Sequence, residues 1–186
     1  MPLVSPETIQ NSLPPRGKRS TALRRYIKLE NDRASWRSHW MELSDYLAPR
    51  RGRYLMENQS TRGRKRSTKI IDNTATQAMR TLGAGLMSGM TSPARPWFRF
   101  GTPDPDMMDR DDVKVYMAEC ESVCRAILHK SNFYNTAYTV YTELGSFGTA
   151  PLYRQKSYDS VIRFRPFTAG EYVIAENHFG QVDTIE

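Results

Sequence analysis

Cysteine is scarce in this chain of 186 residues: Cys120 and Cys124 are the two present, too few for a disulfide framework. Histidine is nearly as sparse, and His39, His129 and His178 lie far apart with no serine or aspartate constellation beside them. No run approaches the roughly 18 apolar residues that a membrane-spanning helix requires, so no membrane partner is expected. The first residues, Met-Pro-Leu-Val-Ser-Pro-Glu, lack both the basic and the apolar region of a secretory signal. Apolar residues make up 39%, below the roughly 45–50% usual for globular proteins. These absences describe an intracellular, soluble chain.

Aromatic side chains are plentiful: 7 Phe, 10 Tyr and 3 Trp supply large surfaces for a core. Charge is unevenly placed. Residues 1–70 hold 16 Lys/Arg against 6 Asp/Glu, a balance of +10, whereas residues 71–186 hold 11 against 14, a balance of −3. A basic third on a slightly acidic body suits a polyanion or an acidic protein surface, or is simply a solvated helix and tail.

Residues 1–19 carry Pro2, Pro6, Pro14 and Pro15 without hydrophobic period, and read as an extended arm. From Ser20, Leu23, Ile27, Trp36, Trp40, Leu43 and Leu47 recur at helical spacing, and Pro49 prevents continuation beyond Ala48. The spacing predicts one helix of about seven turns, with Trp36 and Trp40 buried against the body or a neighbouring subunit. Residues 50–69 form a long basic connection whose single acid is Glu57. A second helix is expected from about Asp72, with Thr74 and Gln77 as a capping box and Ala75, Met79, Leu82, Leu86 and Met90 as its stripe. Pro93 and Pro96 end it, ahead of a short extended segment at 97–100. Asp109, Asp111 and Asp112 open a third helix, with Val113, Tyr116, Cys120, Val123, Ile127 and Leu128 facing inward. Phe133 to Phe147 reads as a fourth. After Gly148 the period changes to two, at 151–155, 161–167, 172–176 and 181–185, with a turn at 177–180. Four helices followed by a small antiparallel sheet define an α+β fold. The helical region spans 20–148 with its basic loop at 50–69. The β region, 149–186, stops as if cut within an element.

Catalytic signatures are poor. Gly83, Gly85 and Gly89 depart by one residue from the dinucleotide fingerprint and follow no strand. Asp104, Asp106 and Asp109 resemble the start of a calcium loop or a nuclease site, but the central glycine and closing glutamate are missing, so a helix cap is the better reading. Cys120 and Cys124 share a helix face without a second ligand pair, as packed thiols do. No catalytic residue, metal or cofactor is assigned. Gly85 and Gly89, on a face of small residues, suggest the close approach of another backbone. Arg62, Arg64, Lys65, Arg66 and Lys69 are candidate contacts for nucleic acid or for a protein, or a solvated loop. Interleaved aromatics are lacking there, so nucleic acid would be held by its phosphates and in a salt-sensitive way. A small basic nucleic-acid-binding protein is accordingly the alternative function.

Asp72-Asn73-Thr74-Ala75 and the run from Leu82-Gly83-Ala84-Gly85-Leu86-Met87-Ser88-Gly89 to Pro96-Trp97-Phe98 resemble the N-terminal region of portal, or head-to-tail connector, proteins of short-tailed bacteriophages. Ser131-Asn132-Phe133-Tyr134 and Leu144-Gly145-Ser146-Phe147-Gly148-Thr149-Ala150-Pro151-Leu152 are similar to two further segments of that family, in the same order. The resemblance covers roughly residues 22–186. It implies a non-enzymatic ring at one capsid vertex of the virion, usually a dodecamer, made in the bacterial cytoplasm. Such a ring nucleates procapsid assembly with the major capsid protein, docks the terminase, lets double-stranded DNA through and holds the tail adaptor. The present residues would form part of the wing. Portals run to several hundred residues, so a fragment is expected, with the channel-lining helices beyond Glu186.

Overall fold

The computed structural model describes residues 18–49, 51–55 and 69–185. The extended arm at 1–17 and the basic residues Arg62, Arg64, Lys65 and Arg66 lie outside the described residues. The described elements are six α-helices, one 3-10 turn and four strands: α1 (Lys18–Asp32), α2 (Ala34–Tyr46), the turn Gly52–Tyr54, α3 (Thr74–Met90), α4 (Pro105–Asp109), α5 (Asp111–Lys130), α6 (Phe133–Phe147), β1 (Leu152–Ser157), β2 (Val161–Pro166), β3 (Ile174–Glu176) and β4 (Val182–Ile185). The class is α+β. No described helix is long and apolar enough to cross a membrane.

Two helix expectations need correction. The helix expected over 20–48 is broken at Arg33 into α1 and α2. Asn31 and Asp32, which compete for backbone hydrogen bonds, immediately precede the break, and the Arg33 Nη1 donates to the Tyr172 carbonyl. The aspartate-rich start of the third helix is likewise divided. Asp104 caps the short α4 by accepting from the Asp106 N–H at 3.1 Å, and α5 begins at Asp111.

The chain forms two compact units, residues 1–77 with 167–186, and residues 78–166. In the first, Ile27, Leu55, Ala169, Tyr172 and Val173 are the buried apolar residues. The buried Ser44 side chain lies directly against Gly52, where a Cβ would overlap it. Gly170, at φ +96°, sits against Tyr54 and Leu55. Arg37 Nε donates to the Leu55 carbonyl at 3.3 Å. The Thr74 N–H is taken by Asp72 Oδ1 at 3.0 Å, so the carboxylate of Asp72 supplies the cap expected of Thr74 and Gln77. β3 and β4 pair antiparallel around residues 177–180, where Asn177 Oδ1 accepts from the N–H groups of Phe179 and Gln181 and Gly180 takes φ +73°. That turn is as the sequence indicates.

In the second unit α6 packs on β2, and α5 packs on both. Polar residues occupy much of the buried side of α6, which includes Thr136, Ala137, Glu143, Ser146 and Phe147. Hydroxyls on such a face need partners. Thr136, Thr142 and Ser146 each return a hydrogen bond to the carbonyl four residues back, at 2.8–2.9 Å. Gly148, at φ +79°, ends the helix by donating to the Leu144 carbonyl. The strands expected after Gly148 therefore form two separate two-stranded sheets, β1–β2 and β3–β4, rather than one.

Candidate functional site

The glycine-rich α3 shows close contact at an unexpected position. A Cβ added at Gly83 would fall 2.7 Å from Thr142 Oγ1 and 3.4 Å from Tyr138 of α6. On the facing side, a Cβ at Gly145 would lie 2.7 Å from Leu82 and 3.2 Å from Met79. Gly83 and Gly145 thus let two helices approach closely. Gly85 and Gly89 have open space among the described residues where a Cβ would be. Of the expected stripe only Met79 is fully buried, with Leu82 and Met90 exposed. Spacing alone signals a small-residue face; which glycine is covered depends on the phase of α6.

The same unit holds an aromatic cluster at the start of α6. Trp97 stacks on Phe133 at 5.8 Å with planes 9° apart, and Phe133 meets Phe164 edge-on at 5.2 Å. Phe98 crosses Trp97 at 4.8 Å, and Trp97 Nε1 donates to the Tyr134 hydroxyl at 3.4 Å. The segment at 97–100, expected to be extended, pairs with no strand; the Phe100 N–H instead donates to Glu121 Oε1 of α5 at 2.8 Å. Asn132, at the α5–α6 corner, donates through Nδ2 to the Phe164 carbonyl at 2.7 Å and accepts on Oδ1 from the Phe164 N–H at 2.8 Å. One side chain thus replaces a ladder partner for β2. This clamp carries no signal in the sequence beyond an asparagine at a helix break.

The α5 surface also departs from expectation. The half-buried line is Val113, Met117, Cys120, Cys124, Ile127 and Leu128, while Tyr116 and Val123 are 62% and 59% exposed. Val115 joins them on the outer side. Hydrogen bonding with Cys120 pushes the Tyr116 phenol above its ordinary pKa. Cys120 and Cys124 are free and half-buried, and no group of three or more metal-binding side chains occurs among the described residues.

In the first unit Trp36 and Trp40 come together on α2, their rings 6.3 Å apart. Trp40 is half-buried, but Trp36 is 57% exposed and is left uncovered by the described residues. Lys69, the last residue of the basic stretch, bonds Asp45 Oδ2 of the same helix at 2.7 Å. The hydrogen bond and charge of Asp45 hold the Lys69 ammonium above its ordinary pKa.

These faces, rather than any pocket of reactive groups, are the notable features of the described surface, and features of this kind serve assembly. Residues 19–186 match the family model described as bacteriophage head to tail connecting protein, and the chain belongs to that family. It is 45% identical over 168 residues to a probable portal protein of Bordetella phage BPP-1, covering 90% of this chain and 30% of the relative. It is 43% identical over 162 residues to a portal protein of Salmonella phage epsilon15, covering 87% and 29%. The chain thus spans about 30% of the length of the curated relatives it matches.

Proposed function

We propose that the chain is the N-terminal part of a structural, non-enzymatic subunit of a portal ring at a capsid vertex of the virion. The ring, a dodecamer in this reading, serves genome packaging, passage of double-stranded DNA and tail attachment, with terminase, tail adaptor and major capsid protein as partners. The observation that carries it is the identity of 43–45% to two portal proteins over nearly the whole chain.

A ring of identical subunits needs two unlike surfaces on each. Two such surfaces are available. Trp36 of α2 is exposed in a region of net positive charge, and Val115, Tyr116 and Val123 of α5 are exposed beyond the acidic stretch from Asp104 to Asp112. In this reading the basic stretch with Arg62, Arg64, Lys65 and Arg66 faces the acidic stretch from Asp104 to Asp112 of a neighbour, and the uncovered Gly85 and Gly89 receive a neighbouring backbone. Electron microscopy of the purified protein carrying this chain tests the proposal. Closed rings with a central hole are the expected result; a population of monomers or dimers at micromolar concentration would overturn it.

A further inference from the structure

Charge falls in blocks along the last part of the chain. Residues 151–165 hold Arg154, Lys156, Arg163 and Arg165 against Asp159, whereas residues 166–186 hold Glu171, Glu176, Asp183 and Glu186 and no Lys or Arg. Each block folds into its own antiparallel hairpin, β1–β2 and β3–β4, and the two hairpins form separate sheets in the single chain. Two strands are bare. All of β1 up to Lys156 is exposed, and so are Val182, Asp183 and Ile185 of β4. Among the described residues neither strand has a second strand beside it.

The phase of β1 shows what its free edge offers. Phe164 of β2 gives both its N–H and its carbonyl to Asn132 rather than to β1. Arg154, opposite Phe164, is therefore in a non-hydrogen-bonded pair, and its own N–H and carbonyl point to the outer edge. With a period of two, Leu152 and Lys156 do the same. None of the three makes a described main-chain hydrogen bond outside the ladder. The hairpin that carries this edge is held in shape at its turn. Val161, a β-branched residue, stands at φ 65°, and the Ile162 N–H donates across it to the Ser160 carbonyl at 2.7 Å. This is a γ-turn of the rarer sign, which costs conformational energy in a β-branched residue. Ser160 Oγ braces it by donating to the Ile162 carbonyl at 2.9 Å. A ribbon fixed at the Asn132 clamp and at the turn loses little freedom on gaining a partner.

We propose that β1 of one subunit pairs with β4 of the next, joining the basic hairpin of one chain and the acidic hairpin of its neighbour into a four-stranded sheet. An open strand edge is a template for a further strand, and a two-stranded hairpin is marginal without one. Arg154 and Lys156 lie on one face of β1, exposed and in none of the described ion pairs. Glu176 and Asp183 are likewise exposed on the acidic hairpin, so opposite charges meet across the join. The exposed Leu152 and Tyr153 of β1 and Val182 and Ile185 of β4 gain cover. Pairing of β1 with β1, or of β4 with β4, would set like charges against each other, which is unfavourable. A join between unlike strands is head-to-tail, and repeats into a ring. This contact rests on the ring of identical subunits proposed above and names strands that hold it together.

Microscopy and hydrogen exchange on the purified, nucleic-acid-free protein carrying this chain test it. Arg154→Glu/Lys156→Glu, and separately Glu176→Lys/Asp183→Lys, should each reduce the fraction of subunits in rings about tenfold, through like-charge contact. The variant that combines both pairs restores opposite charges across the join and should recover the rings. Rings that survive either reversal, or that fail to return in the combined variant, overturn the pairing. In rings of the parent protein the amides of Leu152, Arg154 and Lys156 should exchange at least about tenfold more slowly than in the unassembled Arg154→Glu/Lys156→Glu variant, and amides in 182–185 with them. Protection of β1 without protection of β4 would assign the edge to another segment or another protein, and also overturns it. Rings whose β1 amides gain no protection would remove this pairing alone and leave the ring standing. A parent protein that forms no rings would overturn both.

Discussion

The three glycines of α3 share a helix and a residue type, yet their surroundings differ. A methyl group at Gly83 meets a β-branched side chain whose hydroxyl is already committed to the Tyr138 carbonyl. Overpacking of this kind costs about 1–3 kcal/mol, against about 1 kcal/mol gained in helix propensity. Gly83→Ala should accordingly lower stability by about 1 kcal/mol, whereas Gly85→Ala and Gly89→Ala, with open space, should each raise it by about 1 kcal/mol. Urea unfolding of the three variants checks the order. If Gly85→Ala is more stable yet fails to assemble, a neighbouring subunit uses that surface. Val161 gives a second test at this scale. Val161→Gly removes the penalty of positive φ and should raise stability by about 1 kcal/mol; an unchanged melting temperature would mean that the turn stores no strain.

Among the elements, the attachment of β2 to the helices depends on one side chain. Asn132 satisfies both backbone groups of Phe164, and Asn132→Ala leaves a part-buried N–H and carbonyl without their partner. The expected loss is about 1–3 kcal/mol, read by urea unfolding, with hydrogen exchange faster in 161–166 than in α6. Uniform acceleration across the unit would show that Asn132 supports the whole rather than the hairpin. The end of α6 and the β3–β4 turn were legible because each is set by adjacent residues: a glycine at positive φ, or an asparagine bonding two residues ahead. The break at Arg33 was not, since neither proline nor glycine marks it. On the inward side of α5, Val113, Cys120, Ile127 and Leu128 lie as the spacing indicates, and Met117 and Cys124 take the places expected of Tyr116 and Val123, which are as apolar as the residues that do face inward.

At the scale of the molecule, exposed apolar groups gain meaning only in an assembly. Burying a large aromatic side chain contributes on the order of 1.5–3 kcal/mol, so Trp36 is a strong candidate for the contact between subunits. In a Trp40→Phe/Trp97→Phe background, assembly should shift the emission of Trp36 to shorter wavelength and reduce its quenching by acrylamide. Unchanged quenching in intact rings would remove Trp36 from the interface. The charge asymmetry, +10 over the first 70 residues and −3 over the rest, belongs to the same scale. It is plain in the sequence, but charge placement alone does not specify its partner.

Local preference and short motifs by themselves determined the α+β class, the strand-forming segments, the helix ends at glycine and proline, and the ordered segments that resemble portal proteins. These properties depend on neighbours in the chain, so they can be read along it. Only the tertiary structure decided that Gly83 rather than Gly85 is covered, that the four strands form two hairpins, and that Trp36 stays exposed in the single chain. Each of those outcomes depends on which face of one element meets another. That is a matter of rotational phase and long-range pairing, which hydrophobic spacing constrains to a stripe but not to a residue.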